Sequence, residues 1–266
     1  MVHTKLENRL KAILDGFPAK ASLYCVDMTS GEVLAAIGEE TQVVSASTIK
    51  VAVLLCALQK VADGALDLAQ FVPLGRFCDD TQVFEAEYRQ DGASLWEMLY
   101  WMIVSSDNTA TNAVLELLTF DAINAYCSSL GLTATKAQRF MLDFAAASEG
   151  RQNYTSARDQ FRLYELLYHG KILTPELRAA AFDFLGRVRH MGGLQRYIPD
   201  PVTVYHKPGG LDGLNHDAGI FCTEKPYYLG IFTWDGPALD GDPEQNRLIG
   251  KLSRLTYDYV TKGVLP

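Results

Sequence analysis

Apolar positions recur at helical spacing at the start of the chain, where Leu6, Leu10, Ile13 and Leu14 form one stripe, and two short strand-like runs follow, 21–27 and 32–37. The runs are separated by Met28-Thr29-Ser30-Gly31 and predict a β-hairpin. An apolar helix is predicted from Ser47 to a stop at Asp63-Gly64, followed by an irregular stretch reaching Gly92 through Pro73, Gly75, Phe77, Phe84 and Tyr88. A connection that long in a compact domain is usually functional, and it is expected to form a cleft wall.

The helical period resumes over 94–118 and is interrupted at Ser105-Ser106-Asp107-Asn108, where Asp107 suits the N-cap of a second helix. Further helices are predicted over 121–130, 155–169 and 175–188, the last with Pro175 in its first turn. The intervening 132–154 lacks periodicity and carries Arg139, Asp143, Glu149, Arg151 and Asn153, as expected of a charged surface loop. From 202 the period changes to two, giving strands over 202–207, 217–223 and 227–234, with Gly209–Gly213 as a connection, and a closing helix over 246–260. Strands at both ends and helices between them imply an α/β (α+β) fold. An antiparallel sheet would be built from 1–45 and 199–266 and flanked by the terminal helices, with an all-helical lobe over 46–198. Ser47 and Lys207 would then face each other at the boundary, where clefts form.

The stretch 44–58 is nearly uncharged except for Lys50, so its helix is expected to be buried on most sides. Residues three apart share a helix face, which lets Lys50 reach back over Ser47. Burial favours the neutral amine, and a neutral lysine can take a serine proton. The alternative is structural, with Ser47 as a helix cap and Lys50 extending to solvent.

Composition narrows the partners. The 266 residues are 48% hydrophobic and 21% charged, with a net charge of −8 spread along the chain, which disfavours nucleic acid and anionic membranes. No cofactor is implied. Cys25, Cys56, Cys78, Cys127 and Cys222 are odd in number and lack metal-ligand spacing, as expected of reduced thiols and no metal site. Charges near the N-terminus and the lack of a long apolar run give a cytoplasmic expectation for the chain as given, or a secreted or periplasmic one if a leader has been removed.

Three elements stand in order: Ser47-Thr48-Ile49-Lys50, Ser106-Asp107-Asn108 and Lys207-Pro208-Gly209. This set resembles the Ser-x-x-Lys, Ser-Asp-Asn and Lys-Thr-Gly signature of class A β-lactamases and penicillin-binding serine hydrolases. The likeness extends to Thr109 through Asn112, Gly131-Leu132 and His216 through Ile220. The resemblance implies that Ser47 is acylated, Lys50 activates it, Ser106 protonates the leaving nitrogen, and Lys207 holds that hydroxyl and the substrate carboxylate. It further implies that Asn108 binds the acyl amide beside Gly209, and that the N–H groups of Ser47 and Gly210 form the oxyanion hole.

Two departures bear on substrate and turnover. Pro208 replaces a hydroxyl residue of the third motif. The deacylating Glu of class A enzymes is also not evident, because the family interval from Ser106 falls on Leu142 and Asp143, while Glu149 and Asn153 have the right mutual spacing but lie too near the next helix. Asp143 is a candidate water-activating base, or else a structural anion paired with Arg139. His216 falls where relatives often carry a substrate-binding cation. The expected activity is a serine acyl-hydrolase opening β-lactam amides, with slow deacylation. The alternatives are a D-alanyl peptidase or esterase on the same scaffold and a non-catalytic ligand sensor. The partner in each case is a small β-lactam, acyl-peptide or ester.

Overall fold

The computed structural model describes residues 2–81, 83–84, 91–236 and 244–265, so part of the predicted cleft wall, including Tyr88, lies outside the described residues. Helix α1 (Val2–Asp15) leads into strands β1 (Lys20–Asp27) and β2 (Val33–Ile37). The chain closes with β7 (Val204–Leu211), β8 (Leu214–Phe221), β9 (Tyr227–Trp234) and helix α9 (Glu244–Lys262). These strands make one antiparallel sheet in the order β2-β1-β9-β8-β7, so β9 bridges the two ends of the chain.

Alternation along each strand assigns residues to opposite faces. Leu23, Cys25, Leu229 and Ile231 pack against Leu6, Leu10, Leu248 and Leu252 of the terminal helices, whereas Tyr24, Val26, Tyr228 and Phe232 join the core of the central helices. Both faces are therefore covered, which is why β9 is buried from Tyr227 through Thr233. Strand β7 is an edge, a position that accepts Pro208.

The central segment begins with β3 (Val43–Val44), a 3-10 turn (Ala46–Thr48) and α2 (Ile49–Ala62). Ten consecutive residues of α2, Ile49 through Leu58, are buried. Each large aliphatic side chain there contributes roughly 1.5–3 kcal/mol of burial free energy. Around α2 pack α3 (Leu95–Val104), α4 (Asn108–Leu118), α5 (Phe120–Ser129) and α8 (Pro175–Gly186), while α7 (Ala157–Tyr168) lies on the sheet. Strands β4 (Phe71–Pro73) and β5 (Gly92–Ser94) pair across the stretch read as irregular. The predicted cap is present, Asp107 accepting from the Ala110 N–H, and Pro175 stands in the first turn of α8 as expected, with Thr174 before it accepting from the Leu177 N–H.

Two expectations need correction. The segment 132–154 is not a surface loop: it contains α6 (Phe144–Ser148), and its end forms β6 (Tyr154–Thr155), paired with β3. Side-chain amides take the place of regular ladders here. Asn153 accepts from the N–H groups of Gln138 and Arg139 and donates to the Arg139 carbonyl, and Asn112 of α4 accepts from the Met141 N–H. Arg139 and Asn153 are both buried as a result. Second, Gly209 and Gly210 are strand residues of β7, and the turn comes after Leu211, because the β7–β8 register continues unbroken to Leu211↔Leu214.

Candidate active site

Ser47 sits in the 3-10 turn just ahead of α2 rather than capping it. Ala46 before it has φ +44°, an uncommon conformation for a residue with a side chain, and such strain concentrates at functional sites. Thr48 donates its hydroxyl to the Ser45 carbonyl at 2.6 Å, and the Ser45 N–H donates to the Asn153 carbonyl, so the loop described above braces the turn. The helix N-terminus beneath Ser47 favours negative charge developing there.

Lys50 is fully buried and donates three hydrogen bonds: to the Ser106 carbonyl (2.8 Å), the Ser106 hydroxyl (3.1 Å) and Asn108 Oδ1 (2.8 Å). It does not extend to solvent. Burial lowers its pKa to about 7, against the opposing pull of Asp107 and Asp80. The amine is thus poised between charged and neutral forms near neutral pH, and loss of one proton exposes a lone pair for a serine hydrogen.

Ser106 lies between the C-terminus of α3 and Asp107, with φ +58°, and this left-handed residue reverses the chain into the cleft. Its hydroxyl accepts from Lys50 and from Lys207 Nζ at 2.9 Å. Both lone pairs are then used, so its own hydrogen is left to donate to a ligand. Lys207 is buried, also donates to the Pro208 carbonyl, and has its pKa pushed well down by burial and by Lys50, with Asp217 opposing.

Strand β7 forms the opposite wall. A Cβ at Gly209 would lie 2.7 Å from the Ser47 nitrogen, so only glycine lets the strand approach the turn this closely. Gly210 follows it along the wall. Ser47, Ser106, Asn108, Lys207, Gly209 and Gly210 all line one cleft of about 500 Å³. Behind Ser47 a cavity of about 160 Å³ is bounded by Leu142, Phe144, Arg139 and Asn153.

Two predicted site residues have other duties. Asp143 caps α6, accepting from the Ala146 N–H at 2.9 Å; its ion pair is with Arg76 at 3.7 Å, while Arg139 feels its charge from further away. It is not among the residues lining the cavity beside Ser47, and its contacts here are those of a helix cap. His216 is buried, with Nε2 2.8 Å from the Val44 carbonyl and Nδ1 accepting from the Thr233 N–H. Burial lowers its pKa to about 4, so it is neutral and supplies no cation, although it lines the cleft. Glu149 pairs with Arg151 on the surface.

Three contributors were not predicted as site residues. Asp80 lines both cavities and accepts from Asn108 Nδ2 at 2.6 Å. His190 lines the cleft near Lys207, with its pKa lowered by burial and then by both lysines. Asp217, buried in β8, pairs with His206 at 2.9 Å and accepts from the Leu194 N–H, holding the 192–194 wall in place. A Cβ on Gly193 would meet that carboxylate at 2.4 Å.

The model of the beta-lactamase enzyme family matches residues 5–260, nearly the whole chain. The chain belongs to the beta-lactamase enzyme family. Beta-lactamase FAR-1 of Nocardia farcinica is 30% identical over 223 residues, covering 80% of this chain and 69% of the relative. In fold, this family member is similar to PBP-A, with TM-score 0.88, 24% identity and coverage of 97% of this chain and 96% of the other. It is equally similar to a class A beta-lactamase from Bacteroides cellulosilyticus, with TM-score 0.88, 20% identity and 98% of each chain. A point mutant of PBP-A has been captured as an acyl-enzyme complex with penicillin G, at TM-score 0.88 and 24% identity, with the same coverage as PBP-A. The protein is a serine hydrolase of beta-lactamase type. No described helix is long and apolar enough to cross a membrane.

Proposed function

We propose that this enzyme opens β-lactam amides through an acyl-enzyme at Ser47 and releases the product slowly. Neutral Lys50 takes the Ser47 proton as Oγ attacks the lactam carbonyl, and the N–H groups of Ser47 and Gly210 stabilise the charge on its oxygen. As the lactam C–N bond breaks, Ser106 passes its proton to the departing nitrogen and takes back the one held by Lys50, while Lys207 steadies the hydroxyl and the substrate carboxylate. The observation that carries this reading is the sharing of the Ser106 hydroxyl by two buried lysines, one with its pKa near 7.

Slow release is supported by the cavity behind Ser47. Leu142, at φ +58°, and Phe144 stand in its wall, and Asp143 is turned to the amides of α6. Among the described residues, Asp80 is the carboxylate lining this cavity, and it is bonded to Asn108. A missing general base removes a factor of about 10² to 10⁴ from hydrolysis of the acyl-enzyme. The same wall favours, as a second reading, acyl transfer from a D-alanyl peptide. A chromogenic cephalosporin tests the proposal: one equivalent of chromophore per enzyme should appear rapidly, followed by a much slower steady phase. A linear course without a burst would contradict slow release, and no chromophore at all would remove the β-lactam reading.

A further inference from the structure

Asn108 has four hydrogen-bonding positions that matter here, and two are spent inside the protein. Its Oδ1 takes Lys50 at 2.8 Å, and one Nδ2 hydrogen goes to Asp80 Oδ2 at 2.6 Å. The remaining Nδ2 hydrogen is the one free for a substrate's acyl-amide carbonyl. Whatever is attached to that carbonyl therefore lies beside the Asp80 carboxylate.

Asp80 differs from the neighbouring Asp107, which is buried and fully engaged, with one oxygen capping α4 and the other accepting from the Thr81 hydroxyl. Asp80 is exposed, lines both the cleft and the smaller cavity beside Ser47, and uses only Oδ2 in hydrogen bonds among the described residues. The same cleft is lined by Lys207, whose Nζ donates to the Ser106 hydroxyl, and by His190. The cleft thus offers hydrogen-bond donors beside Ser106 and a carboxylate beside Asn108, which suits a ligand with a carboxylate on its leaving side and an ammonium on its acyl side.

We propose that Asp80 selects substrates carrying a charged amino group on the carbon next to the acyl-amide carbonyl. An aminopenicillin has this layout, as does a short peptide whose amino end falls at that position. The inference rests on the β-lactam reading above and adds a substrate class to it.

Ampicillin and benzylpenicillin differ only in this amino group, so the ratio of their second-order acylation rates isolates it. Measured by intact mass at pH 6.5, where an α-amino group is charged, the ratio should favour ampicillin by about threefold to tenfold, as for a charge-assisted contact in a partly solvated site. Asp80→Asn keeps an acceptor for Asn108 and should bring the ratio to about one, whereas Asp80→Glu should retain much of the preference. Any general effect of Asp80→Asn on Lys50 acts on both compounds and cancels. A ratio that Asp80→Asn leaves unchanged overturns the proposal, including the case where both acylations slow equally. Longer acyl-enzyme lifetimes for both penicillins with an unchanged ratio also overturn it and reassign Asp80 to water activation. If neither penicillin acylates the wild-type enzyme while it remains folded, the β-lactam reading fails and this inference falls with it.

Discussion

The pH dependence of acylation follows from Lys50. Burial sets its pKa at about 7, so the neutral fraction is about one part in eleven at pH 6, one half at pH 7 and about ten parts in eleven at pH 8. If the neutral amine takes the Ser47 proton, the second-order acylation rate rises about tenfold between pH 6 and pH 8 and then levels. A lysine at its ordinary value near 10.4 would give a different curve, rising about a hundredfold over the same interval and still climbing tenfold per unit at pH 9. The sign is fixed by desolvation, which disfavours the charged form, while Asp107 and Asp80 act the other way. Asp80→Asn should accordingly move the midpoint to lower pH. The assay is stopped-flow or quenched-flow acylation by benzylpenicillin across pH 5.5 to 9.5, with circular dichroism at each pH as a folding control. A flat profile, or a unit slope persisting to pH 9.5, would refute the assignment of Lys50 as a base made available by burial.

Other perturbations separate the roles of neighbouring residues. Gly209→Ala puts a methyl group 2.7 Å from the Ser47 nitrogen, forcing β7 away from the turn, and should slow acylation by about 10²-fold or more, in the range seen when an oxyanion donor is lost. The rate constant for adduct formation reads this directly. Asp143→Ala removes a helix cap and should cost about 1 kcal/mol in urea unfolding with little change in acyl-enzyme lifetime, whereas a deacylating base would give the opposite pattern. Leu142→Glu introduces a carboxylate into the wall behind Ser47 and should shorten the lifetime of the adduct by about 10²-fold or more, as followed by return to the free mass.

Much of the architecture was legible because both signals used, apolar periodicity and capping, are local. Asp107, Thr174 and Pro175 stand at helix starts, which their chemistry favours, and β9 reads as an unbroken apolar run because both its faces meet helices. The segment 132–154 misled because its order comes from the amides of Asn112 and Asn153, which leave no period in the sequence. Gly209 and Gly210 suggest a turn by composition, yet they are held in β7 by a close approach to Ser47 that only the folded chain reveals. Lys50 was legible as an expensive cation in an apolar helix. His216 was not, since its neutrality depends on Val44 and Thr233, both distant in sequence. Asp80 carries no motif, and only its bond to Asn108 marks it as part of the cleft.

The most direct test of the account is intact-protein mass spectrometry over time after brief exposure to benzylpenicillin, run in parallel on Ser47→Ala. The account predicts a single adduct equal to the whole penicillin, since opening the ring loses no atoms, formed within seconds to minutes, absent from Ser47→Ala and persisting after free drug is removed. Rapid return to the free mass with penicilloate accumulating would contradict slow release. An adduct on Ser47→Ala, or none on the wild-type enzyme, would contradict Ser47 as the nucleophile for β-lactams.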